Sequence, residues 1–179
     1  MIMEKDSEKL LEFIKSRKSV RNFVFSKIKK EIIEEILDCG RWAPSGLNNQ
    51  PWKVFVITYP SVKTLVAECT KYGGIIESAF TSLVIFYDKE KGYNRVKDIQ
   101  ACGAFMENVL LAIHAFNYGA VWLGEILNQK EEVNKIFKLS PAKFELMGVI
   151  AIGEIDEAKE KKGEKIRERR PLEDFVEWL

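Results

Sequence analysis

The sequence predicts a single α+β domain spanning residues 1–179. Three short runs, 52–58 (WKVFVIT), 82–88 (SLVIFYD) and 145–153, are dense in β-branched and aromatic residues, as buried strands are. Between them lie longer segments whose apolar residues recur at helical spacing. No internal repeat and no convincing linker divides the chain, and 179 residues suffice to bury one sizeable core.

In chain order, Leu10, Leu11 and Ile14 give residues 7–15 an apolar helical face, with Asp6 or Ser7 as the expected cap. A basic, non-periodic stretch, RKSVRNF, follows. Residues 30–42 form a second amphipathic helix through Ile32, Ile33, Ile36 and Leu37, which Pro44 ends. The strand 52–58 leads to a short helix over 61–69 with Pro60 at its start. The strand 82–88 is followed by a charged loop, KEKGYNR. Residues 96–116 carry the longest helical pattern, apolar on nearly every side from Ala101 onward. Such a helix has no wet face to spare, so it either crosses the domain centre or presents one side to a second subunit. In a chain this short the subunit contact is favoured. Gly119 is the expected stop near its end. A brief strand at 121–123, a helix at 129–137 and the strand 145–153 follow. The tail, 165–179, ends in PLEDFVEWL, whose five large apolar residues imply docking on its own subunit or a neighbour.

Bulk composition excludes several function classes. Lys plus Arg (28) nearly balances Asp plus Glu (27), so no global field draws the protein to nucleic acid or membrane, and any anion site is a local cluster. Cys39, Cys69 and Cys102 are odd in number and outside any CxxC, which suggests buried thiols in a reducing cytosol. The first residues, MIMEKDSEKLLEF, carry acids where an export signal is basic and then apolar, so a cytoplasmic location is expected. The apolar stretch 108–124 is interrupted by His114, Asn117 and Gly119 and reads as buried helix and strand, not a membrane span.

Three features could carry chemistry. RKSVR sets Arg17, Lys18 and Arg21 around Ser19; guanidinium forks with a hydroxyl suit a phosphate dianion, although a solvated basic turn has the same spacing. The loop RWAPSGLNNQPW offers Ser45, Asn48, Asn49 and Gln50 to a heterocycle's carbonyls and ring nitrogens, and Gly46 could take a positive φ to bring backbone near a flat ligand. Asparagines satisfying local backbone would explain the same residues. VWLGEI ends a strand on Gly124, where N–H groups could face a ligand or simply turn. His114, the only histidine, is expected to be a packed core or interface residue, and a lone histidine leaves no His-rich metal site. Neither GxSxG, GxxxxGK[ST] nor GxGxxG occurs, so any chemistry comes from something the chain binds.

Taken in order, "SRKSVRNF", "ILDCGRWAPSGLNNQPWKVFVI", the apolar helix ending "GAVWLGEI", "IAIGEI" and "RERRPLEDFV" resemble the nitroreductase family of FMN-dependent oxidoreductases over nearly the whole chain. The RxSxR and PSxxNxQPW elements are the specific ones. The resemblance implies a mixed central sheet wrapped by helices in an intertwined homodimer, with two flavins at the interface and the tail embracing the partner. It implies that Arg17 and Ser19 contact the FMN phosphate and ribityl chain, with Lys18 alongside. Arg21 would lie near the pyrimidine edge, where a cation favours the charge gained on reduction. Pro44, Ser45 and Asn48 would belong to the loop one subunit offers to the other's flavin. Leu123 and Gly124 would place backbone amides near N5 and O4, and Arg167 and Arg169 would complete the phosphate site. The implied reaction is ping-pong: NAD(P)H gives hydride to flavin N5 and leaves, then a small electron acceptor takes two electrons.

Two departures from the family pattern stand out. Only a brief loop at 90–93 replaces the helices that cover substrate in longer members. In KYGGIIESAF only Lys71 is a candidate for the polar-plus-lysine contact some members carry. Relatives of this fold include dehalogenases and an enzyme that breaks down flavin, and a non-catalytic flavin carrier would keep the same cleft.

Overall fold

The computed structural model describes residues 2–162 and 167–179, with side chains from residue 5 onward in the first helix. Lys165 and Ile166, the first residues of the expected docking tail, lie outside the described residues. The elements run α1 (Ile2–Ser16), β1 (Phe23–Val24), α2 (Lys30–Arg41), β2 (Trp52–Ile57), α3 (Pro60–Ala67), α4 (Gly73–Ser78), β3 (Thr81–Asp88), α5 (Arg95–Ala115), β4 (Gly119–Leu123), α6 (Lys130–Ile136), β5 (Phe144–Ile155) and α7 (Glu157–Lys162). α1 starts earlier than expected, so Asp6 and Ser7 sit inside it rather than at its start.

Five strands form one sheet in which β5 pairs with β3, β4 and β1, and β3 pairs in turn with β2. The expected mixed sheet is antiparallel in every described pair. β3 shows how one sheet serves two cores. Its Val84 and Phe86 join a cluster with Val66, Ile76 and Val133 from α3, α4 and α6. The alternate residues Leu83 and Ile85 join Ile33 and Ile36 of α2 and Phe105, Val109 and Ile113 of α5. Strand alternation alone therefore directs the two layers.

β5 keeps both cores supplied only through a defect. Its register against β3 shifts between Ile85 and Phe86, which face Gly148 and Leu146, so Met147 is an extra residue. Before the shift Leu146 enters the first core; after it Val149 and Ala151 do, and Ile150 and Ile152 enter the second. The inward parity switches at Gly148, whose φ of 146° and close approach to Trp122 leave no room for a side chain.

α5 ends differently from expectation. Asn117, at φ 61°, is the left-handed residue, with Asn117 N–H bonded to His114 O at 3.0 Å and Tyr118 N–H to Ile113 O at 3.1 Å. These two bonds satisfy the last carbonyls in a Schellman motif. Gly119 instead opens β4, where a Cβ would strike Val20 and Ile155. No helix among the described residues is long and apolar enough to cross a membrane.

Candidate functional site

The turn after α1 is held from three directions. Val20 N–H donates to Ala120 O of β4 at 2.9 Å. Glu160 of α7 accepts from Arg21 N–H at 3.2 Å, Asn22 N–H at 3.0 Å and Asn22 Nδ2 at 2.8 Å. From the far end of the chain, Arg167 donates to the Arg17 carbonyl at 2.6 Å and to the Lys15 carbonyl at 3.2 Å. Two segments 150 residues apart thus meet on one backbone turn. Arg17 itself lies 3.7 Å from Glu107 of α5. Arg17, Lys18 and His114 line a small cavity of about 80 Å³ with Tyr118 and Ala120, and Ser19 beside them is half-buried.

His114 reports the local potential. Its ring stacks on Phe13 at 4.9 Å between centroids, and Nε2 lies 2.7 Å from Ser16 Oγ. Burial lowers its pKa, and the nearby charges of Arg17 and Arg167 lower it further. Arg17, Lys18 and Arg167 gather on this turn, with Glu107 beside Arg17 and Glu160 on its far side, and such a cluster of cations suits a dianion.

Arg21 points into a different, larger cleft of about 410 Å³, which it lines with Phe23, Lys71, Tyr72, Ile75 and Lys159. Lys71 is carried by the turn between α3 and α4, and that turn is tied to the end of β4. Glu125, next to Gly124, accepts from Thr70 Oγ1 at 2.6 Å and from Lys71 N–H at 3.2 Å. The Thr70 hydroxyl, helped by Lys71 N–H, holds the Glu125 carboxyl below its ordinary value against a smaller opposing effect of burial. Leu123 is buried at the end of β4, whereas Gly124 is exposed, with open space where a side chain would be.

The amide-rich loop is the most strained stretch of the chain. Leu47, Asn48 and Gln50 all have positive φ, at 56°, 54° and 45°. Gly46 is not among the positive-φ residues; it is glycine because a Cβ would overlap the Tyr93 ring. Ser45 Oγ accepts Gln50 N–H at 3.1 Å, and Gln50 Nε2 donates back to Asn48 Oδ1 at 3.2 Å. Asn49 turns inward and donates to Asp98 Oδ1 at 2.7 Å and to Lys91 O at 3.1 Å. Pro44, Ser45 and Gly46 line a cleft of about 270 Å³ with Lys97, Gln100, Ala101 and Ala104 of α5.

Of the expected site residues, Arg17, Lys18, Ser19 and Arg167 come together. Arg169 instead donates from its guanidinium to the neighbouring Glu168 carbonyl, at 3.0 Å. Arg21 lies beside Lys71, and Pro44 and Ser45 border another cleft on α5. Sequence reasoning gave Glu125 no role and passed over Asp98 and Glu160, single acids that carry no local signal. Among the described residues no group of three or more His, Cys, Asp and Glu could hold a metal ion.

The chain matches the model of the Nitroreductase family over residues 14–77 and 60–154. It is 30% identical over 149 residues, 82% of this chain and 85% of the other, to an Archaeoglobus fulgidus protein provisionally named an NADH dehydrogenase/NAD(P)H nitroreductase. Its fold matches a provisional nitroreductase of Desulfovibrio desulfuricans, solved in complex with FMN, with TM-score 0.86 and 39% identity, covering 93% of this chain and 94% of that one. A Bacillus subtilis structure at 19% identity, TM-score 0.85 and coverage of 97% and 100% shares the fold. The cationic turn, the strained amide loop and the antiparallel sheet between two helical layers thus sit in a chain that belongs to the Nitroreductase family.

Proposed function

We propose that the chain is an FMN-dependent oxidoreductase that takes hydride from NAD(P)H and passes electrons to nitroaromatic, quinone or similar small acceptors. The observation that carries this reading is the meeting of Arg167 with the Arg17 turn, which builds a cationic seat between opposite ends of the chain. The FMN complex of the 39% identical relative supports the choice of dianion. When bound, FMN would supply the hydride-accepting and hydride-donating centre. Arg17, Lys18, Ser19 and Arg167 would hold its phosphate, and Arg169 would join them only through a change in the tail. Arg21 and Lys71 would place positive charge at the pyrimidine edge, and the backbone of Leu123 and Gly124 would face N5 and O4.

Pro44, Ser45 and Asn48 would complete the cleft from a second copy of the chain. On α5 the exposed Val96, Gln100 and Glu107 and the half-buried Gly103 recur at helical spacing and fit such a partner. The tail supports the same assembly, because Leu172, Phe175 and Trp178 are exposed on their own chain, Trp178 by 94%.

An anaerobic titration tests the activity. Flavin-loaded protein should bleach on addition of NADH or NADPH and recover its colour on addition of a nitroaromatic or quinone. Binding without bleaching would point to a flavin carrier, and consumption of the flavin itself to a flavin-degrading enzyme.

A further inference from the structure

Asp98 is the most heavily hydrogen-bonded buried carboxylate described in this chain, and it lies outside every residue set assigned so far. It is 0% exposed. Its Oδ2 accepts Tyr87 Oη at 3.1 Å and the backbone N–H groups of Tyr93 and Asn94, both at 2.9 Å. Its Oδ1 accepts Asn49 Nδ2 at 2.7 Å. One oxygen therefore fixes the start of α5 to β3, and the other reaches across to the amide loop. Burial alone would raise the Asp98 pKa, but these donors outweigh it and hold the carboxyl below its ordinary value. The neighbourhood leaves no slack: a Cβ on Gly92 would overlap Tyr87 Oη, and one on Gly46 would overlap Tyr93.

Asn49, itself at φ −75°, turns its side chain inward between strained residues, with Leu47 and Asn48 before it and Gln50 after it, all at positive φ. Backbone in that region is disfavoured for residues with side chains and persists only where surroundings dictate it. We infer that Asp98 is a positioning residue: through Asn49 it locks the 45–50 loop in its left-handed shape and couples that loop rigidly to α5, thereby setting how tightly the loop closes on flavin. The coupling to flavin rests on the function proposed above; the locking of the loop does not.

A polarity swap tests it. Asn49→Asp sets two carboxylates face to face and should release the loop. FMN should then bind at least about tenfold more weakly, the loss of one charge-assisted bond, and the amides of residues 47–50 should exchange faster. In Asn49→Asp combined with Asp98→Asn, the amide oxygen introduced at position 98 can take over the three donors on the Oδ2 side. Its NH2 then donates to the carboxylate introduced at position 49. FMN affinity should recover most of that loss but stay short of the parent, because a carboxylate at position 49 cannot donate to Lys91 O as Asn49 Nδ2 does. Faster loop exchange with unchanged FMN affinity in Asn49→Asp would overturn the positioning role, and so would failure of the double variant to recover. Were the parent protein to bind no FMN at all, the proposed function would fall. The lock would then be judged by loop exchange alone, with unchanged exchange in Asn49→Asp refuting it. Should Asn49→Asp fail to fold, Asp98→Asn, in which a flipped Asn49 keeps one bond and loses that to Lys91 O, supplies the same two readings.

Discussion

Arg17 is the residue on which the proposed cofactor site turns. It is largely covered, its guanidinium is aimed by Glu107, and its own carbonyl is taken by Arg167. Replacing it with alanine removes a charge-assisted bond to phosphate, so Arg17→Ala should weaken FMN binding by about 1.5–3 kcal/mol. Equilibrium dialysis of FMN checks this, and an unchanged affinity rejects the assignment. His114 gives a second test at the same scale. Its folded pKa lies below the unfolded value of about 6.5, so the unfolded chain binds more protons between the two. The stability it contributes is present above about pH 6.5 and is lost as pH falls through the folded pKa. The groups facing it are Phe13, Ser16, Arg17 and Arg167, with Glu107 nearby on its own helix. NMR titration of the ring should therefore give a midpoint below 6.5, and saturating FMN should move it upward, because a dianion offsets the two guanidinium charges. A midpoint that ignores FMN would place the phosphate elsewhere.

Elements explain why the site is where it is. β5 carries both cores because Met147 is inserted and Gly148 takes a conformation few other residues tolerate. Gly148→Ala should cost about 1–3 kcal/mol from backbone strain alone, and more from the contact with Trp122. A lowered urea midpoint with an unchanged m-value would confirm this, and an unaltered midpoint would contradict it. The long elements were legible in the sequence because burial writes a period: β2, β3 and α5 fall within one or two residues of their expected bounds. β1, α4 and α7 were not legible. β1 has two residues, α4 begins with two glycines, and α7 is charged at every position but Ala158, with no buried face. The loop's residue types announced a special structure, but the assignment of strain to Gly46 was misplaced. Sequence cannot show that Tyr93 fills the space over Gly46 while Leu47 and Asn48 adopt the left-handed shape.

At the scale of the molecule, one chain presents its site in parts. The proposed phosphate seat draws on residues 17–19 and Arg167, the loop cleft lies on α5, and apolar side chains of α1 and the tail face outward: Leu10, Leu11 and Ile14 on the helix, Leu172, Phe175 and Trp178 on the tail. Such a surface is expensive to leave wet and fits a second copy. Removing residues 172–179 should weaken self-association, read as a shift toward monomer in sedimentation, and an unaltered profile would argue against a docking tail. The cationic character of the turn was legible from its residue types, whereas the convergence of Arg167 on Arg17 was not, since nothing local marks a contact across 150 positions.

The meeting of those two arginines around a phosphate is the claim that everything functional depends on, and comparing FMN with riboflavin isolates it, because the two differ only in that group. FMN should bind at least about a hundredfold more tightly, as two charge-assisted bonds of about 1.5 kcal/mol each require. Arg17→Ala combined with Arg167→Ala should erase most of the difference. Equal affinities for the two flavins in the unaltered protein would contradict the account.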